Sequence, residues 1–335
     1  MTAARMTAAA LMTASTIPAS GPAVPATERT DRPVSIAQLG QLLFLGAVWG
    51  GAFLALRIAA PQVGAVWAAE IRIAIGAAIL LVLFGRRAWP LVRANPIRFA
   101  IVGATFSAIP FTLIAIAELT LHVGMSAILN ATTPLFTAAL GVVWLHDRLR
   151  LRTIVGMFTG MAAVVILVGW SALDLTPATI LSALALLGAA CSYAFAGTFV
   201  KRTFPGVSGT EIATGQLTAG AILLLPFALA TGAPGVPGPD GVIALIVVGV
   251  LSTAIPWPIY FRLLRTTSAT AASTVTFVVP AFAIAWGALF LGEPVGPELL
   301  VGFAVIIVSL VLVLGLAPRL PALPRLARAT TSPGR

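Results

Sequence analysis

Cysteine and charge are what this sequence has least of. Its 335 residues include one cysteine, Cys191, and charged residues make up 9% of the chain, against about 25% in a soluble domain. A single cysteine excludes an intramolecular disulfide and a cysteine metal cluster. Hydrophobic residues make up 59% and the mean hydropathy is +1.05. This composition excludes a water-soluble globule, because a protein of this size cannot hide so much apolar surface.

What is present instead is a series of long apolar segments. A helix needs roughly 20 mostly apolar residues to cross a bilayer. The sequence therefore predicts an all-α integral membrane protein with ten transmembrane helices. They are expected at residues 37–59, 63–85, 97–118, 121–145, 153–170, 177–199, 207–231, 240–262, 267–291 and 296–318.

The two halves of the chain repeat each other. Ser107–Phe111 reads SAIPF, and TAIPW returns 146 positions later at Thr253–Trp257. The same offset carries several prolines and glycines of one half onto the other, which indicates an internal duplication. Each copy, 37–170 and 177–318, holds five predicted spans. Because five is odd, the copies enter the membrane from opposite sides, and inverted repeats of this kind are common in secondary transporters.

The basic residues indicate the orientation. By these boundaries 18 of the 20 Lys and Arg residues fall in the two tails and in the loops on one side, and the opposite loops carry none. The positive-inside rule therefore places both termini in the cytoplasm. The net charge of +10 is explained by topology, so no nucleic-acid partner is expected. Residues 1–36 lack an apolar helical stripe and are expected to be a disordered tail, with a signal peptide as the alternative. Residues 319–335 form a second, basic tail.

Several short motifs resemble a known family. They are Trp49-Gly50 with Phe53, Arg72-Ile73-Ala74, the mid-span prolines Pro134 and Pro280, the acidic residues that close spans 4 and 9, and the glycines of spans 5 and 10. Over about residues 37–318 the chain resembles the EamA-type branch of the drug/metabolite transporter superfamily. The resemblance implies a carrier of small metabolites in the bacterial inner membrane, often an exporter of amino acids or drugs. A departure is His146-Asp147, where the family more often has Gly-Glu, as at Gly292-Glu293.

Glu70 and Arg72 are the charged residues most costly to insert. A charge within a span costs about 2.5–3.5 kcal/mol on insertion scales, so it normally faces a cavity or a partner. The two residues are about 200° apart on a helix and do not face each other. We therefore expect Arg72 to bind an anionic substrate group and Glu70 to carry a coupled proton. A structural ion pair, such as Glu70 with Arg57, is the alternative.

Prolines within the spans predict broken helices. Pro134 and Pro280 remove the backbone donors that would bond to the carbonyls of Asn130 and Thr276. Pro110 and Pro256 recur in the same way in the two copies of the repeated pentapeptide. Broken helices in corresponding halves point to a binding site, whereas a kink healed by neighbouring hydroxyls is the structural alternative.

Polar and aromatic side chains within the spans complete the predicted substrate site. Trp49 lies mid-span and is a candidate for the cavity wall, with core packing as the alternative. The other candidates are Asn130, Tyr193, Gln216, Trp257, Tyr260 and Thr276. The Gly46-xxx-Gly50 and Gly156-xxx-Gly160 faces are typical of close helix packing, the second either within the bundle or in a homodimer.

Motifs for other activities are missing or incomplete. The sequence has no G-x-x-x-x-G-K-S/T and no H-E-x-x-H, so neither ATP hydrolysis nor a metal or other cofactor is expected. Gly206–Gly209 resembles an intramembrane serine protease motif, but Ser208 would need a histidine base. His122 is expected on the external side and His146 in a charged loop, so no enzyme is predicted. The sequence thus favours a secondary transporter working by alternating access, with a membrane receptor or a facilitative channel as the alternatives.

Overall fold

A computed structural model describes residues 35–117, 119–121, 126, 129–168, 176–232, 236–291 and 297–314. These residues form ten helical elements joined by short connections. They are α1 (Ile36–Val63), α2 (Ala65–Ala94), α3 (Pro96–Ala117), α4 (Thr133–Leu145), α5 (Leu151–Val168), α6 (Pro177–Thr203), α7 (Gly209–Thr231), α8 (Pro239–Thr266), α9 (Ala269–Ser273 and Val275–Leu291) and α10 (Pro297–Leu314). Of the predicted tails, residues 1–34 and 319–335 lie outside the described residues, whereas Ser35 caps α1 and Ile36 begins it.

The helices match the predicted spans in number and order. Seven are long and apolar enough to cross a membrane, and α4, α5 and α10 are shorter apolar helices. The largest difference is in α4, whose continuous segment begins at Thr133 with Pro134 in its first turn, whereas a span from residue 121 was predicted. Ser126, Leu129 and Asn130 are helical too, and a turn at residues 131–132 separates them from Thr133. Proline is tolerated in a first turn because its missing N–H would have no partner there. Residues 122–125 and 127–128 of the predicted span lie outside the described part of the chain.

Helix packing shows the inverted repeat directly. The second and fifth helices of each copy pack against their own counterparts, α2 on α7 and α5 on α10. The first helix of each copy packs against the third and fourth helices of the other copy. Thus α1 contacts α8 and α9, while α6 contacts α3 and α4. The prediction of two inverted five-helix repeats is confirmed.

Glycines bring these helices close together. A Cβ atom at Gly103 would lie 2.5 Å from the backbone nitrogen of Gly220, so α3 and α7 touch backbone to backbone. A Cβ at Gly50 would lie 2.8 Å from the nitrogen of Ala283 in α9. Gly156 meets Val313 of α10, and a Cβ at Gly160 would lie 2.6 Å from Ser309 in the same helix. The Gly156-xxx-Gly160 face therefore packs within the bundle.

The repeated pentapeptide marks a π-helical turn in each half. The turns are Ala104–Ala108 in α3 and Val250–Ala254 in α8, at the same offset as the sequence repeat. Pro110 and Pro256 follow these turns, and both helices continue beyond them. The prolines deform their helices and do not end them, because the wider turn accommodates the missing N–H. Pro280 also differs from the expectation: it lies inside Val275–Leu291, and α9 is interrupted earlier, at Thr274.

Candidate functional site

A cavity lies where the two repeats meet. It measures about 700 Å³, the solvent at its mouth included. Four pairs of repeat counterparts, each 146 positions apart, contribute to its wall: Phe111 with Trp257, Ile114 with Tyr260, Asn130 with Thr276, and Thr133 with Val279. The cavity therefore surrounds the axis that relates the two halves, which is where transporters with inverted repeats bind their substrates.

Three aromatic side chains form one face of the cavity. The ring centroids of Trp49, Trp257 and Tyr260 lie 5.5 Å from one another in all three pairs. Phe106 packs edge-on to Trp257 with a centroid distance of 5.1 Å. Trp49 is also fixed by a hydrogen bond of 3.1 Å from its Nε1 atom to the carbonyl of Ser252. The result is a rigid apolar surface suited to a flat or bulky apolar group.

Arg72 brings a positive charge to this wall. It is 6% exposed, and its Nε atom donates to the hydroxyl of Thr253 at 3.2 Å. Its guanidinium carbon lies 3.9 Å from the centroid of the Phe111 ring, in a cation–π contact. Arg72 is the charged residue among those described in the cavity wall. A buried arginine can bind a carboxylate with two parallel hydrogen bonds.

Two buried polar atoms of the wall lack partners among the described residues. They are the acceptor Oδ1 of Asn130 and the donor Nε1 of Trp257. Leaving a buried polar atom unpaired costs about 1–3 kcal/mol, so such atoms in a cavity mark sites where a ligand can bond. The wall thus offers one neutral donor and one neutral acceptor besides Arg72.

The interrupted helix starts place polar groups in the wall. The Thr133 hydroxyl donates to the carbonyl of Asn130 at 2.7 Å, and the Thr276 hydroxyl donates to the carbonyl of Ser273 at 2.9 Å. These bonds satisfy carbonyls near the points where the α-helical ladder begins or breaks. The hydroxyls therefore both heal the backbone and line the cavity.

The structure brings together most of the side chains predicted for the site. Trp49, Arg72, Asn130, Tyr193, Trp257, Tyr260 and Thr276 all line the cavity. Gln216 of α7 does not. It is fully buried against α3, where its Nε2 atom donates to the Ser107 hydroxyl. Glu70 is also outside the wall, 4% exposed, and its Oε2 atom lacks a partner among the described residues.

Sequence reasoning missed Phe111 and Thr253. Both belong to the repeated pentapeptide, as its last and first residues, so the repetition itself was the available signal. The hydroxyls that open the two copies, Ser107 and Thr253, hold polar side chains from the opposite repeat. Gln216 bonds to Ser107, and Arg72 bonds to Thr253.

Ser208 has a structural role in this fold. Its hydroxyl accepts from the backbone nitrogen of Glu211 at 3.3 Å, and the Glu211 carboxylate accepts from the Ser208 nitrogen at 3.2 Å. This is a capping box at the start of α7. The resemblance of Gly206–Gly209 to a protease motif is accounted for by helix capping.

Ten apolar helices in two inverted repeats around a central cavity define a membrane transporter. The sequence profile of the EamA-like transporter family matches residues 38–169 and again 180–315. The chain belongs to this family, and it is a multi-pass membrane protein.

Named relatives agree with this assignment. The chain is 23% identical to the uncharacterized transporter YoaV of Bacillus subtilis, over 76% of this chain and 89% of that protein. It is 26% identical to a probable terminal-alkyne amino-acid exporter of Streptantibioticus cattleyicolor, over 81% of this chain and 91% of that protein. The uncharacterized inner membrane transporter YedA of Escherichia coli is 25% identical over 82% of this chain and 89% of its own. A solved crystal structure shares the fold, with a TM-score of 0.72 and 16% identity over 86% of this chain and 100% of its own.

Proposed function

We propose that this protein is a secondary active exporter of small amphipathic carboxylates, amino acids in particular, across the bacterial inner membrane. The observation that carries the proposal is the central cavity, in which one buried arginine faces aromatic walls. An amino acid fits these groups because its carboxylate can meet Arg72, its ammonium can bond to Oδ1 of Asn130, and an apolar side chain can pack on Trp49. The relative named as an amino-acid exporter agrees with this substrate class.

We propose alternating access by two groups of helices that mix the repeats. In one group, α1 is bonded to α8 through Trp49 and to α9 through Trp286, whose Nε1 atom donates to the carbonyl of Ala47 at 2.8 Å. In the other, α6 is bonded to α3 through Ser192, whose hydroxyl donates to the carbonyl of Thr105 at 2.8 Å. Together with α4, which packs on α6, these helices supply almost all of the cavity wall. Rocking one group against the other would expose the cavity to each side in turn.

One hydrogen bond links the two groups of helices at the end of the protein where α1 begins, and it supports closure of the cavity at that end. The ammonium of Lys201, at the end of α6, donates to the carbonyl of Thr267 between α8 and α9, so it ties the two groups together. The repeat counterparts of these residues at the opposite end are Ala59 and Leu121, which cannot form such a bond. We therefore propose that the cytoplasmic end is the closed one here.

For energy coupling, we propose that Glu70 exchanges protons during the cycle. It is a buried carboxyl with an unpartnered oxygen among the described residues, and such residues within a membrane protein default to a functional role. Its position on a face of α2 away from Arg72 keeps the proton site separate from the substrate site.

The test is reconstitution in liposomes with a flux screen. Labelled amino acids, aromatic carboxylates, amines and drugs are offered with and without a pH gradient. We expect accumulation of a carboxylate substrate driven by the gradient. Binding without flux under any gradient would identify a receptor, and flux that only follows the substrate gradient would identify a facilitative channel.

A further inference from the structure

The π-helical turn makes the hydroxyl of Thr253 a hydrogen-bond acceptor for Arg72. Thr253 is fully buried. Its Oγ1 atom donates to the carbonyl of Val248 at 2.8 Å, five residues back along α8, and accepts from Nε of Arg72 at 3.2 Å. A hydroxyl has one proton to donate. Because Val248 takes that proton, the oxygen presents a lone pair to Arg72.

Arg72 is held by groups from both repeats. Thr253 of α8 binds its Nε atom, and the Phe111 ring of α3 lies 3.9 Å from its guanidinium carbon. One contact fixes an end of the planar guanidinium and the other fixes the tilt of its plane. Bidentate binding of a carboxylate depends on this orientation, since the two N–H groups must point in parallel at the two oxygens.

The hydroxyl at the equivalent position in the other repeat also holds a polar side chain, but an uncharged one. Ser107 stands where Thr253 stands in the other copy, and it accepts from the Nε2 atom of Gln216. Gln216 is fully buried and does not line the cavity. The fold therefore uses one hydroxyl in each π-helical turn to hold a polar side chain of the opposite repeat, but only the Thr253 copy holds a cation in the cavity wall.

We infer that Thr253 is a positioning residue that gives the cavity its preference for a carboxylate over an uncharged amide. It acts through Arg72 and does not touch the substrate itself. The inference rests on the proposed function, in which Arg72 binds the carboxylate.

The experiment compares matched acid and amide probes on purified full-length protein. Dissociation constants for indole-3-acetate and indole-3-acetamide, and for L-phenylalanine and L-phenylalaninamide, are measured by calorimetry. We expect the wild type to bind an acid about 10-fold more tightly than its amide, as a charge-assisted bond implies. Thr253→Val should reduce this preference to about 3-fold or less with unchanged affinity for the amide. Thr253→Ser keeps the hydroxyl and should keep the preference.

Ser107→Ala is the matched control. It removes the equivalent hydroxyl in the other repeat, so it should lower thermal stability and leave the preference for the acid intact. An equal loss of preference in Ser107→Ala and Thr253→Val would overturn the inference, because the effect would then be general loosening of the fold.

The Arg72→Gln variant distinguishes failure of the inference about Thr253 from failure of the proposed anion site at Arg72. If Arg72→Gln loses the preference and Thr253→Val keeps it, the inference is wrong and the proposed anion site stands. If both variants keep it, or neither acid binds the wild type, the anion role of Arg72 fails and the inference with it.

A measurement on the wild type covers variants that do not fold. In wild-type protein labelled with ¹⁵N-arginine, the Nε–H signal of Arg72 is assigned from its nuclear Overhauser contact with the Phe111 ring, whose centroid lies 3.9 Å from the guanidinium carbon. We expect its proton to exchange with water far more slowly than that of Arg93, which is exposed. Exchange as fast as that of Arg93 would show that Thr253 does not hold the side chain.

Discussion

The indole of Trp49 bonds to a carbonyl that a proline has left without its helical partner. In an α-helix the Ser252 carbonyl would accept from residue 256, but Pro256 has no N–H, and Nε1 of Trp49 donates there at 3.1 Å. The Ser252 hydroxyl in turn donates to the carbonyl of Val48 at 3.1 Å. The other repeat has a related bond, in which the Ser192 hydroxyl donates to the carbonyl of Thr105. There the donor four residues on, Ile109, has an N–H, but the π-helical turn directs it to Ala104. The π-helical turns, together with Pro256 in one of them, thus leave free the acceptors that join the two repeats.

We expect Trp49→Phe to destabilise the protein by about 1 kcal/mol or more, because it leaves the buried Ser252 carbonyl unpaired. The measurement is the free energy of unfolding in detergent. Trp89→Phe is the control, since Trp89 is 46% exposed and should change stability by less than about 0.5 kcal/mol. Equal losses in the two variants would show that the bond to Ser252 does not contribute.

Reporter fusions test the orientation. Fusions after Arg98, Arg152, Arg202 and Arg335 should read cytoplasmic, and fusions near Pro61 and Asp240 should read external. The reason is the one-sided distribution of basic residues in the connections. An external reading at Arg335 with a cytoplasmic N-terminus would contradict ten spans, because an even number returns the chain to its starting side.

Glu70→Gln should abolish the response of flux to a pH gradient while leaving substrate binding close to that of the wild type. The amide has the same shape as the carboxyl but cannot take up or release a proton. The measurement is gradient-driven uptake in liposomes. Glu211→Gln is the control, because Gln also serves in a capping box and should keep the full response. If Glu70→Gln responds fully, the carboxyl is structural.

His146→Gly should raise the free energy of unfolding by roughly 1 kcal/mol. His146 ends α4 with a φ of 56°, in the left-handed region, where a side chain is strained and glycine is not. The repeat counterpart of His146 is a glycine, Gly292. His146→Ala keeps a Cβ and should show no such gain in thermal unfolding. A similar gain in both variants would point to the imidazole and away from the backbone.

Asp147→Asn should leave transport intact and change only the pH dependence of stability. Burial raises the pKa of Asp147 above its ordinary 3.8, and the charge of Lys201 opposes this rise. With a raised folded pKa, the stabilising effect of the neutral carboxyl is present below about pH 4 and is lost as the pH rises through the folded pKa. The asparagine variant should therefore gain on the wild type in thermal unfolding as the pH rises above about 4 and through the folded pKa. Loss of flux in a folded variant would instead give Asp147 a role in transport. Its repeat counterpart Glu293, which lies outside the described residues, is likewise predicted not to carry the proton.

Arg72 and Gln216 show how much of the site could be predicted from the sequence. The ten spans, the inverted repeats and the cavity-lining position of Arg72 could be predicted because they depend on local properties: apolar length, repetition, and the cost of a charge in a membrane. Gln216 and Asn130 were both candidates for the site because each is a polar residue within a predicted span. Yet Gln216 of α7 packs against α3, whereas Asn130 lines the cavity. A neutral polar side chain within a span can be satisfied by a neighbouring helix or by a ligand, and sequence does not tell these cases apart.

Pro280, Thr274 and Thr253 mark what only the tertiary structure decided. A proline removes one donor wherever it stands, which the sequence determines. Whether the helix breaks, kinks or widens depends on which neighbours satisfy the orphaned carbonyl. The chain passes through Pro280 and is interrupted at Thr274 instead, while at Pro110 and Pro256 it widens into π-helical turns. The contact of Thr253 with Arg72 joins residues 181 positions apart, and it exists only because inverted packing sets α2 of one repeat against α8 of the other.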